Sequence, residues 1–216
     1  MRVCIQQPYF APSASYFRLF HAVDMFIYLI DVQFPPRGRV HRCELLDSEG
    51  NRKWFTLPIK REPRGVNIEN LKWADDAEER WEKLCRRFPF VPSVVHPWSF
   101  KAGSPEVFLE VSLEHVASFL LQELPRIEVS SEFKVRGKGQ DKIIALCKEV
   151  GATEYVNLPG GRKLYEAEAF EKEGIALKFL EPWPESPQLS ILHTLDKGYP
   201  PGILSRKIRR LSKLEA

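Results

Sequence analysis

At 216 residues, with 44% apolar and 28% charged side chains, the chain suits one domain, or one domain carrying an insertion, with a substantial core. A net charge of +3 excludes the strongly basic class that grips nucleic acid by charge alone, and the scattered Cys4, Cys43, Cys85 and Cys147 exclude a disulfide scaffold. No apolar stretch approaches the roughly 20 residues that cross a bilayer, and the N-terminus lacks the apolar run of a signal peptide, so a cytoplasmic protein is expected.

Residues 1–34 organise the rest of the chain. An apolar run, Val3, Cys4 and Ile5, meets a polar, proline-punctuated loop over 6–13. A helix-length segment over 14–22 carries Tyr16, Phe17, Leu19 and Phe20 on one stripe, with Ser13 or Ser15 placed to cap it. Residues 25–30 are almost wholly apolar and end in Asp31, Val32, Gln33 and Phe34. Strand, loop, helix, strand is a βαβ unit. Short apolar runs without polar alternation suit a parallel sheet covered on both faces.

A basic loop over 35–42 comes next. Two β-like runs, 43–46 and 54–59, are joined by a polar turn; this hairpin insertion, about residues 40–60, is expected to pack on or extend a sheet edge. An acidic start at 75–79 and a basic end at Arg86 and Arg87 frame a helix with Trp81, Leu84, Cys85 and Phe88 on its buried face. Residues 90–103 predict a loop and 105–124 a long helix, with Ser104 as its cap and Pro105 in its first turn. Strands at 127–129, 154–157 and 175–180 then alternate with a helix at 140–150, closed by Gly151, and a helical stretch ending at Lys172. A basic helix over 205–214 ends the chain.

Open parallel sheets bind ligands beyond the carboxyl ends of their strands. Asp31, just past a buried strand, reads as a base or orienting group, or else as a turn cap or arginine partner, with Gln33 on the same face. His41 is a second acid/base candidate, without a visible partner. Gln6, Gln7 and Tyr9 offer neutral amide and phenol groups that suit a sugar hydroxyl or a base edge, and strand alternation turns only one glutamine toward the crevice. Arg37, Arg39 and Arg42 match phosphate oxygens, or form a solvated charged loop. Ser130 and Ser131, backed by Lys134, Arg136 and Lys138, form one anion cradle at a strand end; Gly160, Gly161 and Arg162 form another. His21, His96, His115 and His193 do not assemble, so no metal site is predicted; Cys4 and Cys147 read as small core residues.

The string Ile5-Gln6-Gln7-Pro8-Tyr9-Phe10-Ala11-Pro12, with Tyr16-Phe17, Asp24, Asp31-Val32-Gln33-Phe34 and Arg37-Gly38, resembles the opening of the WbqC-like protein family. The likeness continues through Trp54-Phe55-Thr56-Leu57-Pro58, Ser130-Ser131-Glu132, Gly151-Ala152-Thr153, Asn157-Leu158-Pro159-Gly160-Gly161-Arg162 and Leu189-Ser190-Ile191, nearly the whole chain in order. The resemblance implies a setting in bacterial O-antigen and other surface-polysaccharide pathways. A second likeness is architectural. A proline-bearing loop between two strands, with a helix opening on an aromatic pair, resembles the nucleotidylyltransferase group, pantothenate synthetase especially. That group carries a His-x-Gly-His signature, and Ala14-Ser15-Tyr16-Phe17 has neither histidine.

Together these readings predict a single α/β domain, Rossmann-like, with a mainly parallel sheet and an inserted β-hairpin. The expected ligand is an anionic small molecule, a nucleotide-linked sugar first. The expected activity is group transfer in surface-glycan assembly, of an acyl or aminoacyl group to the sugar's amine; nucleotidyl transfer and a non-catalytic binding module are the alternatives. The cofactor stays open, a nucleotide or an acyl donor being compatible, as does the oligomeric state.

Overall fold

A computed structural model describes residues 1–61, 64–91, 103–184, 189–196 and 201–215. Strand β1 (Arg2–Gln6) and strand β2 (Met25–Tyr28) lie side by side in parallel, joined through helix α1 (Ala14–Ala22). Three later strands complete the sheet: β5 (Arg126–Val129), β6 (Glu154–Asn157) and β7 (Ala176–Phe179). The order is β5-β2-β1-β6-β7, every neighbouring pair parallel. β1 sends the chain one way to β2 and β5, while β6 and β7 lie on its other side. The strand order therefore reverses between β1 and β6, the point at which such sheets open a crevice.

Both faces are covered, which is why β2 is buried at all four positions. On one face Cys4, Phe26, Tyr28 and Val156 meet the aromatic stripe of α1; the Phe20 and Phe26 rings stack with centroids 4.1 Å apart. On the other, Val3, Ile5, Met25, Ile27 and Tyr155 meet Ile143, Leu146 and Cys147 of α4 (Gly139–Glu149) and Phe170 of α5 (Ala167–Glu171). Each such aromatic is worth roughly 1.5–3 kcal/mol of burial, so two stocked faces fix the sheet between them.

The long connection from β2 to β5 holds β3 (Arg42–Leu46), β4 (Arg52–Thr56), α2 (Ala77–Arg87) and α3 (Pro105–Leu120). β3 and β4 form their own two-stranded antiparallel sheet rather than extending the main one. Alternation explains it: Cys43, Leu45 and Phe55 point into the core while Arg42, Glu44 and Trp54 point away, so the hairpin lies flat on the domain. The helix expected over 105–124 stops at Leu120, because Leu121 turns extended. Gly151 takes the left-handed conformation, φ 67°, after α4.

The C-terminal part holds α6 (Ile191–Asp196) and α7 (Pro201–Arg210), the latter beginning and ending four residues before the range expected. α7 packs on α1 and α3. Arg18, buried in α1, ties this region down by donating to the carbonyls of Glu181 at 2.8 Å and Leu211 at 2.7 Å. The loop expected over 90–103, with His96, lies mostly outside the described residues.

Candidate functional site

The crevice between β1 and β6 is closed by a polar chain. Gln6, the last residue of β1, donates its Nε2 to Asn157 Oδ1 at 2.5 Å across the switch point. Asn157 Oδ1 also accepts from the Leu158 N–H at 2.7 Å, and its Nδ2 donates to the Tyr155 hydroxyl at 3.1 Å. The Tyr155 and Tyr165 hydroxyls are 3.0 Å apart. Gly161 sits against this amide: a Cβ there would fall 2.8 Å from Asn157 Nδ2, so the second glycine of the pair is required for close approach. Gly160 faces open space. Asn157 is thus a rim residue absent from the candidates named on sequence grounds. Its signal was a polar side chain ending an apolar strand, followed four residues later by glycine.

The loop from β1 to α1 bends sharply at Ala11, whose φ of 43° makes it the one non-glycine in the left-handed region among the described residues. The bend is held from two directions. Phe10 N–H donates to the carbonyls of Arg39 and Val40, and Ser190 Oγ donates to the Ala11 carbonyl at 2.7 Å. These contacts bring the basic loop over the N-terminus of α1. Between them lies a cavity of about 480 Å³, lined by Tyr9, Ser13, Arg39, Arg42, Glu44 and Arg52 among others. Ser13 is the residue before the first turn of α1, and that turn carries no acidic side chain. The positive end of the helix therefore adds to the three arginines.

Local contacts set the orientation of these groups. Arg42 donates Nε to the Gly38 carbonyl at 3.0 Å and lies 4.2 Å from the Trp54 ring centroid; Arg39 reaches Glu44 at 3.4 Å. Glu44 offsets part of the positive charge and leaves an excess of cations. Burial pushes the Tyr9 phenol up, Arg39 opposing it, so Tyr9 is a neutral hydrogen-bond donor here. Arg52, which opens β4 (Arg52–Thr56) and was not among the sequence candidates, is a further lining residue.

The basic loop divides at Gly38, which donates its N–H to the Pro35 carbonyl at 2.8 Å in a turn so tight that a Cβ would approach Pro35 Cγ to 2.6 Å. Arg39 and Arg42 fall on the side of the first cavity. Gln33, Arg37 and His41 line a second one, of about 1030 Å³. The imidazole of His41 is pushed down to about 4 by burial and then by Arg42, and is neutral at neutral pH.

The remaining candidates lie elsewhere on the rim. Asp31 accepts from Ser130 Oγ on one oxygen and from Lys142 Nζ, at 2.5 Å, on the other. Ser130 is fully buried, and the Asp31 and Lys142 side chains are 18% and 7% exposed. Ser131 is exposed. Arg162 pairs with Glu215 and covers the Phe179 ring, so its charge faces the C-terminal segment. Gln7 contributes its carbonyl to the Tyr16 hydroxyl. The two cavities are lined by Tyr9, Gln33, Arg37, Arg39, Arg42 and His41 from the predicted set, and by neither Asp31 nor Arg162. Among the described residues no cluster of His, Cys, Asp or Glu is arranged to hold a metal ion, and no helix is long and apolar enough to cross a membrane.

Residues 7–193 match the model of the WbqC-like protein family. The chain belongs to this family. The WbqC-like match begins at Gln7 and ends at His193, and so takes in the β1–α1 loop, both cavities and the hairpin. This WbqC-like chain is also similar to a protein of Mycobacterium tuberculosis (strain ATCC 25618 / H37Rv), named "Uncharacterized protein Rv1507c": they share 23% identity over 194 residues, covering 83% of this chain and 82% of the relative. No solved structure matches it.

Proposed function

We propose that this WbqC-like protein binds a nucleotide-linked sugar through phosphate groups seated at the N-terminus of α1, and that it serves group transfer in bacterial surface-polysaccharide assembly. One observation carries the binding half: Arg39, Arg42 and Arg52 surround a ligand-sized cavity at a helix N-terminus that has no acid of its own. Guanidinium forks and backbone N–H groups are the usual partners of pyrophosphate oxygens. Tyr9, a neutral donor, suits a sugar hydroxyl, and the exposed face of Trp54 offers an apolar plane at the hairpin. The transfer half rests on the pathway context that the family resemblance implies. In it, Asp31 makes no contact with the ligand: Ser130 and Lys142 engage its oxygens, and it lines neither cavity.

The same engagement of Asp31 favours a second reading, a module that binds the nucleotide sugar without turning it over. A thermal-shift screen with nucleotide sugars, a nucleoside triphosphate with magnesium, and coenzyme A separates the ligand classes, since ligand binding to the native state raises the melting temperature. Nucleotide sugars are expected to shift it, and Arg42→Gln to weaken that binding about 10- to 100-fold through one lost charge-assisted contact. A shift with triphosphate alone would point to nucleotidyl transfer. Binding with no transfer to any amine or hydroxyl acceptor would favour the module. An Arg42→Gln protein that binds as the parent does would remove the site.

A further inference from the structure

The second cavity is separate from the first and has a different character. Arg37, Lys60, Arg61, Arg64 and Arg80 line it, with His41 at the turn, and no carboxylate belongs to its lining among the described residues. Lys60 and Arg80 have exposed partners, Asp75 and Asp76, each at 3.6 Å. The guanidinium groups of Arg37, Arg61 and Arg64 have no hydrogen bond or ion pair among the described residues. His41 Nδ1 is buried and also lacks a hydrogen-bond partner among them. Three cations without a partner among the described residues, set around one concavity, repel each other and focus field lines onto whatever anion enters.

The fold holds this arrangement firmly. Phe34 N–H donates to the Val66 carbonyl at 2.8 Å and Ile68 N–H to the Val32 carbonyl at 3.0 Å, so segments 32–34 and 66–68 run together as one wall. Leu57 N–H donates to the His41 carbonyl at 2.8 Å, which fixes the hairpin as another. The tight turn at Gly38 alternates the arginines, sending Arg37 here and Arg39 to the neighbouring cavity.

We infer that this cavity is a second binding site, for a small molecule carrying two or more phosphate groups. The charge balance sets the class: three guanidiniums without a partner among the described residues exceed what a single phosphate, at about −1.5 to −2, would neutralise. The shape sets the size. A concave volume of about 1030 Å³ encloses a small molecule. Single-stranded nucleic acid needs exposed aromatic planes along a groove; the aromatic rings here are the buried Phe34 and the half-buried His41. The two sites share the 35–42 loop as a party wall, so a ligand in each would lie on either side of one turn. Whatever fills the cavity at α1 has no bearing on the charge balance of this one.

Calorimetric titration of the intact chain with inorganic pyrophosphate tests it. Three double variants are compared, each removing two positive charges: Arg37→Gln/Arg64→Gln, Arg42→Gln/Arg52→Gln, and the exposed pair Lys83→Gln/Lys172→Gln as the control for net charge. Two binding events are expected on the parent. The Arg37/Arg64 change weakens one at least tenfold and leaves the other, the Arg42/Arg52 change does the reverse, and the control alters neither. Melting temperatures check that each variant folds. Inorganic monophosphate is expected to bind the second site at least tenfold more weakly than pyrophosphate. Unchanged pyrophosphate binding in the Arg37/Arg64 variant overturns the inference, and so does an equal loss in the control. An RNA oligonucleotide or an anionic vesicle that binds through Arg37 and Arg64 where pyrophosphate does not would also overturn it. Failure of the Arg42/Arg52 arm alone would count against the function proposed above and leave this site standing.

Discussion

Two charged corners of the same rim have opposite fates. At one, Asp31 receives Ser130 and Lys142 and its charge is cancelled inside the protein, with 18% of the carboxylate side chain and 7% of the lysine exposed. At the other, arginines gather over the start of α1 with Glu44 as a partial counterweight, and Arg39 keeps 55% of its side chain exposed. Position beyond a strand's carboxyl end is common to both, so position alone does not mark a site. What separates them is the charge left over once internal pairing is complete. The first corner is neutralised internally; the second keeps an excess of positive charge.

The sharpest way to break this contrast is at the first corner. Asp31→Asn leaves the Lys142 ammonium buried and unpaired, and is expected to cost about 3 kcal/mol in urea unfolding. Asp31→Asn/Lys142→Met is expected to cost well under the sum of the single changes, the coupling that a double-mutant cycle isolates. If Asp31→Asn unfolds at the parent's urea midpoint, the corner is not a structural anchor and the catalytic role of Asp31 regains its weight. Next comes the crevice between the corners. Gly161→Ala forces a Cβ to 2.8 Å from Asn157 Nδ2, and the displaced amide is expected to cost about 1–3 kcal/mol. Gly160→Ala, in open space, is expected to cost less than 1 kcal/mol, as ordinary surface changes do. Equal losses at the two glycines would dissolve the Gln6–Asn157 chain as a constraint.

The βαβ opening was legible because β2 is apolar on both faces, which only a doubly covered parallel strand requires. The strand order was not, since the neighbour that β6 takes is decided by pairing between Arg2 and Glu154, far apart in the chain, rather than by any local pattern. The hairpin showed as two strands, but its separation from the main sheet depended on which residues met the core. At the site, the arginine-rich loop was visible and its division at Gly38 was not: the turn depends on where Pro35 ends up. Lys142 was hidden because it occupies a buried-stripe position of α4, where a sequence pattern reads the helix as simply amphipathic. Its partner lies 111 residues away. Arg162 was visible, yet its ion pair with Glu215 could be found only once the C-terminal segment was in place.

The smallest effect sharpens the comparison through protons, at His41 on the wall of the second cavity and at Glu110 in α3. His41, beside Arg42, is pushed down to about 4 from an ordinary value of 6.5, by burial first. The unfolded chain therefore takes up a proton on it between those values while the folded chain does not, so the stability it contributes is full above pH 6.5 and is lost as pH falls toward 4. Glu110 in α3 behaves oppositely. Burial, with Glu106 and Glu114 adding to it, pushes it up from 4.5 to about 7, so its contribution is full below pH 4.5 and is lost as pH rises toward 7. The windows overlap, and between about pH 4.5 and 6.5 these two slopes oppose each other, so each partly masks the other in the parent. Separating them exposes each slope. His41→Gln should gain stability relative to the parent as pH drops from 6.5 to 4.5, and Glu110→Gln should gain as pH rises from 4.5 to 7.5. Urea midpoints measured across that range check both. Parallel pH profiles for parent and His41→Gln would mean that the imidazole titrates as it does in water, and that the wall between the cavities is wetter than its burial implies.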